Sequence, residues 1–97
     1  MKPSEALQLH RADIRRVVAM NGAKNPRVFG PALHGHDADK SDLDLLVDPI
    51  DGLTTLTSLV RIKREVEALT GVTTDVLTPM ALHERFRNTV LAEAAPV

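Results

Sequence analysis

Apolar residues recur at helical spacing in three parts of the chain and cluster in short runs between them. Leu7, Ile14, Val17 and Val18 share one stripe of a segment that starts near Pro3 or Ser4, with Arg11, Asp13, Arg15 and Arg16 elsewhere on its surface and "NG", Asn21 and Gly22, at its end. This pattern predicts an amphipathic helix packed on a sheet. Arg27 to Phe29 predict a short strand broken at Gly30, and "PALHG" after it predicts a short helix, because proline is well tolerated at a first helical position. "HDADKS" is a polar turn, and the nearly unbroken apolar run of "LDLLVD" predicts a second strand covered on both faces. From about Thr54 to Thr70 the spacing is helical again, with Leu56, Leu59, Ile62, Val66 and Leu69 on one side and Gly71 as a stop. "VTTDVL", Val72 to Leu77, predicts a third strand. "TP", Thr78 and Pro79, then starts a last helix striped by Leu82, Phe86 and Val90.

The predicted order is helix, strand, short helix, strand, helix, strand, helix. That order defines an α/β (α+β) protein, a small mixed sheet with flanking helices. With 97 residues, 43% of them hydrophobic, the chain is expected to form a single domain, 1–97, around one modest core.

Composition narrows the function. The 12 basic and 13 acidic residues nearly cancel, so no overall positive field draws the protein to nucleic acid or to an anionic membrane. Any phosphate must therefore be handled locally. The absence of cysteine excludes disulfides, Cys-ligated zinc and Cys nucleophiles and suits a reducing compartment. A charged N-terminus, with no apolar run of membrane-spanning length, leads us to expect a cytoplasmic protein without a membrane partner. Phe29 and Phe86 are the only aromatic residues other than histidine, too few for a base-stacking platform, and no direct nucleic-acid partner is expected.

The candidate chemistry lies in "FGPALHGHDADKSDLDLLVDP", residues 29–49. Residues i and i+2 of a strand point to one face about 6.5 Å apart, so Asp42 and Asp44 converge. Two carboxylates that close repel, and a divalent cation between them removes the conflict. Asp75, inside another apolar strand, completes a triad of hard oxygen donors if the two strands are neighbours. Such a set suits Mg²⁺, which takes one or two carboxylates together with phosphate oxygens and water, and it suits in-line displacement at phosphorus. Gly30, before a helix start, lets a phosphate approach backbone N–H groups. Each carboxylate also has an ordinary reading: Asp42 as a turn cap, Asp44 facing solvent from an edge strand, Asp75 paired with an arginine.

The spaced motif resembles the nucleotidyltransferase superfamily of DNA polymerase β, and most closely its minimal (MNT-type) antitoxins. Their pattern is Gly-Ser, ten residues, Asp-x-Asp, and later a third acidic residue in a strand. Here Gly30 and Pro31 occupy the Gly-Ser place, Ala32 to Ser41 are the ten residues, Asp42-Leu43-Asp44 is the acidic pair, and Asp75 is the third carboxylate. The resemblance implies that Asp42 and Asp44 bind Mg²⁺, that Asp75 shares a second ion and serves as base, and that Gly30 and Pro31, with Ser41 nearby, lie at the triphosphate. It further implies transfer of AMP from ATP to a tyrosine of a HEPN-type ribonuclease toxin, within a hetero-oligomer in which this chain is the antitoxin.

Two positions depart from the pattern. Pro31 in place of serine removes a hydroxyl and a backbone N–H, and donors to charged groups are worth about 1.5–3 kcal/mol each. Losing both threatens the rate rather than the fold, and makes a binding module that neutralises its partner by occlusion the alternative reading. His34 stands where many relatives carry arginine, and is a weaker phosphate anchor. The "HGHD" cluster of His34, His36 and Asp37 is read as loop rather than zinc site, and "RIKRE" and "HERFR" as solvated helix faces.

Overall fold

The computed structural model describes residues 1–97, and in it the first apolar stripe folds as helix α1 (Pro3–Met20). Ala6, Leu7, Ile14 and Val18 are its buried apolar side, Pro3 occupies the first turn, and a single kink falls at His10. Asn21 and Gly22 end it as predicted, Gly22 with φ +76°. Strand β1 (Ala23–Phe29) starts four residues earlier than Arg27, because its first half is irregular. Asn25 has φ +52° and Pro26 lacks an N–H, so the register slips between Lys24 and Arg27 and no apolar alternation marks the beginning.

"PALH" makes one 3-10 turn, Pro31–His34, and strand β2 (Leu43–Pro49) follows the polar loop. Helix α2 (Leu56–Thr70) is capped by Thr55, whose hydroxyl accepts the Ser58 N–H at 3.1 Å, and stops at Gly71 with φ +71°. Of its predicted stripe Ile62 and Val66 are fully buried and Leu59 and Leu69 partly so, while Leu56, in the first turn, is exposed. Strand β3 (Thr74–Leu77) is two residues shorter at its start than predicted.

The last helix requires correction. "TP" opens only a 3-10 turn, Pro79–Ala81, and Leu82 is extended (φ −70°, ψ 140°), so helix α3 (Glu84–Glu93) starts later, capped by His83 Nδ1 accepting the Arg85 N–H. With Leu82 outside the helix the stripe loses its phase. Leu82 is buried, but Phe86 is 57% exposed and α3 buries no residue at all. A two-residue strand, β4 (Ala95–Pro96), ends the chain and went unpredicted, being too short to show a period.

The sheet order is β3-β2-β1-β4, with β2 and β3 parallel and the other pairs antiparallel, a mixed sheet as expected. Parallel neighbours require a crossover, which α2 provides. Leu43, Leu45 and Val47 of β2 join Ile14, Val18, Ile62 and Val66 in the core between the sheet and the α1–α2 layer. On the second face Leu46 is also fully buried, where the Pro79–Ala81 turn reaches β2. Toward the start of β2 that second face carries Asp44, half-buried, and is open. Cover on both faces therefore holds for only part of the strand.

Candidate active site

Strand register assembles the carboxylates. Asp44 is paired with Asp75 across the parallel β2–β3 ladder and with Phe29 across the antiparallel β1–β2 ladder, so Phe29, Asp44 and Asp75 form one row on the open face. Neighbouring strands lie about 4.8 Å apart, which places the Asp44 and Asp75 carboxyls side by side. Asp42 precedes β2 by one residue, on the side chain's own alternation with Asp44. The environment of Asp44 reports the convergence. Burial, then the charge of Asp75, then that of Asp42 push its carboxyl up to about 6. Asp75 itself is exposed, contrary to its reading as a charge inside an apolar strand, because β3 is the edge of the sheet.

Gly30 closes the row from the β1 side. Its backbone (φ +73°, ψ −157°) lies in a region essentially reserved for glycine, and a Cβ there would collide with Asp44 Oδ2. The turn it starts is tight: Leu33 N–H donates to Gly30 O at 3.1 Å, and His36 N–H to Pro31 O at 3.3 Å. Pro31 contributes no amide and Leu33's is already engaged, so a phosphate finds fewer donors here than a long helix start would offer. Ser41 sits away from the turn itself, holding the loop ahead of the acidic pair: its hydroxyl accepts the Ala38 N–H at 2.9 Å and its amide donates to Ala38 O at 3.0 Å.

No three acidic or histidine groups are close enough to form a self-sufficient metal cage. Mg²⁺ in phosphoryl-transfer sites does not need one, since substrate oxygens and waters complete its shell. A half-buried carboxylate pushed up by burial and by two neighbouring like charges is one that such an ion relieves, and on that observation Asp42, Asp44 and Asp75 fit it. A pocket of about 260 Å³ lies elsewhere, between Met20–Gly22 and Leu53–Arg61, and includes none of these residues. The carboxylates lie on the open face of the sheet instead.

Several residues outside the motif bear on the site. Lys63 Nζ donates to Glu67 Oε2 at 2.7 Å and to Thr74 O at 2.8 Å, while Thr74 N–H donates to the same Glu67 oxygen at 3.0 Å. Lys63 of "RIKRE", with Glu67 just beyond it, thus grips both outward-facing backbone groups of the residue next to Asp75, rather than being only a solvated face. Lys63, with the Thr74 amide, holds the Glu67 carboxyl below its usual range. Arg87 of "HERFR" likewise turns inward, donating to Pro79 O at 2.9 Å and Leu82 O at 3.0 Å. Asp37, read as a loop residue, is buried against Ser4. No motif marks these contacts, which join side chains to the backbone or side chains of other elements and turns.

The topology is that of a nucleotidyltransferase fold. A solved minimal nucleotidyltransferase superposes with TM-score 0.86 at 38% identity, over 97% of this chain and 95% of that one. In sequence, the chain is 33% identical to a protein adenylyltransferase of Methanocaldococcus jannaschii over 81 residues, 84% of this chain and 86% of the relative. It is 29% identical to the protein adenylyltransferase MntA of Thermococcus cleftensis, over 94% of this chain and 88% of the relative. A crystal structure of a toxin-antitoxin with AMP-PNP shares the fold at 14% identity, with TM-score 0.73 over 88% of this chain and 69% of that one. No family model matches the chain. The protein belongs to the protein adenylyltransferases of minimal nucleotidyltransferase type.

Proposed function

We propose that the protein transfers AMP from ATP, with Mg²⁺, to a tyrosine hydroxyl of a HEPN-type ribonuclease toxin and so acts as the antitoxin of a hetero-oligomeric pair. The register that sets Asp44 beside Asp75, with Gly30 against Asp44, carries this reading. Supporting it are relatives named as protein adenylyltransferases and a fold neighbour solved as a toxin-antitoxin with AMP-PNP.

In the reaction the acceptor oxygen forms a bond to the α-phosphorus of ATP, the bond to the bridging oxygen breaks, and pyrophosphate leaves with that electron pair. Asp75, exposed at the sheet edge where an acceptor protein can reach it, takes the hydroxyl proton. Asp42, Asp44 and Asp75 would hold Mg²⁺, which supplies neutralisation of phosphate charge. Gly30 leaves room for the triphosphate beside Asp44. Because this chain has no phosphate donor at Pro31, positioning of the nucleotide falls to the remaining groups of the site and to the partner.

Pro31 favours a second reading, in which a slow or inactive centre leaves occlusion of the partner as the mode of neutralisation. Asp42→Ala and Asp44→Ala separate the two. If both variants bind the partner yet fail to neutralise it, transfer is the mode; if they neutralise it fully, occlusion is.

A further inference from the structure

Between Ala32 and Leu43 a single side chain is buried, and it is a carboxylate: Asp37, 6% exposed. Its Oδ2 accepts the Ser4 N–H at 2.7 Å and its Oδ1 accepts the Ser4 hydroxyl at 2.8 Å. Ser4 lies in the first turn of α1, where backbone N–H groups lack helical partners and a negative charge is favoured. Charge-assisted contacts of this length are the strong class of hydrogen bond. They bridge 33 positions of sequence and join the loop to the start of α1.

The position of Asp37 gives the contact a consequence beyond capping. The segment 33–42 has Gly30 and Pro31 just before it and Asp42 at its end; Leu33 packs against the core, while His34, Gly35, His36, Ala38, Asp39 and Lys40 are all exposed around the buried Asp37. His36 N–H reaches back to Pro31 O, and Ala38 and Ser41 bond each other, so the loop is internally closed, and beyond Leu33 it is fastened to the body through Asp37. We propose that Asp37 is a positioning residue: by holding the loop to the start of α1 through Ser4, it sets the relative placement of the Gly30–Pro31 turn and Asp42, and thereby nucleotide affinity. In a chain whose turn lacks donors at Pro31, pre-organisation of what remains carries more of the binding. The inference rests on the nucleotide-handling role proposed above.

Isothermal titration of the full chain with Mg-ATP, without acceptor, tests it alongside amide exchange. Asp37→Ala is expected to weaken Mg-ATP about fivefold to tenfold, on the scale of one to two charge-assisted hydrogen bonds only partly expressed in binding. Exchange in residues 32–42 should quicken while the β1 and β2 core stays protected, and Ser4→Ala, which removes one of the two bonds, should show a smaller effect. Lys2→Ser in the Asp37→Ala background is the control for capping, since serine at that position supplies a local helix cap without reconnecting the loop. The double variant is expected to regain thermal stability but not affinity. Unchanged affinity in Asp37→Ala, or recovery of affinity with Lys2→Ser, would overturn the inference and leave Asp37 as a helix cap. A chain that binds Mg-ATP but transfers no AMP to its partner, as wild type and as Pro31→Ser alike, would sink the proposed function and leave this inference standing; one that binds no nucleotide would overturn both.

Discussion

Asp44 is the residue on which fold and chemistry conflict most openly. Its raised carboxyl means that between about pH 4 and 6 the folded protein holds a proton that the unfolded chain has released, so this residue's contribution to stability falls as pH rises through that window. Asp44→Asn is expected to abolish transfer while raising the melting temperature at pH 7 and flattening its decline across the window, both readable by thermal denaturation at a series of pH values. Asp37 and Glu67 act in the opposite sense. Burial raises the Asp37 carboxyl, but the Ser4 bonds together with its own amide and Lys2 outweigh that and hold it low, so its contribution, like that of Glu67, is present above the ordinary carboxylate range and lost as pH falls. Gly30→Ala should cost about 1–3 kcal/mol in chemical denaturation from backbone strain alone and displace Asp44 besides. Pro31→Ser restores a hydroxyl and an amide at the turn, and we expect faster AMP transfer with little change in stability.

At the scale of elements, the third carboxylate depends on an edge strand, and an edge strand needs fastening. Thr74 is held on both backbone groups by Lys63 and Glu67, which also denies that edge to a pairing strand from another chain. Glu67→Gln is expected to destabilise the protein by about 1 kcal/mol and to quicken amide exchange at Asp75 and Val76 more than in β1. Ile62→Ala, which empties a fully buried position beneath β2, should cost about 2–5 kcal/mol. The comparison with sequence is clearest here. The stripes of α1 and α2 and the apolar run of β2 were legible because burial on one side imposes a period, and the acidic pair was legible because its spacing to Gly30 is local. Asp75's place beside Asp44 required strand register. The late start of α3, the irregular opening of β1, strand β4 and the Lys63–Glu67 grip were not legible, since each depends on a backbone irregularity or on contacts between separate elements.

Taken whole, the molecule is two-sided. One face of the sheet is sealed by α1 and α2 around the core; the other exposes the carboxylate row and, beyond the buried Leu46, a helix that buries nothing. No helix is long and apolar enough to cross a membrane. A carboxylate row on an open sheet face, with no backbone donor at Pro31, suits the proposed work against another protein better than enclosure of a small substrate. Mass spectrometry of the intact HEPN-type partner after incubation with this chain and Mg-ATP examines that claim most directly. The account predicts a gain of one or more AMP masses that disappears with Asp42→Ala. A partner left unmodified by both the wild-type chain and Pro31→Ser, although each binds it, would contradict the account.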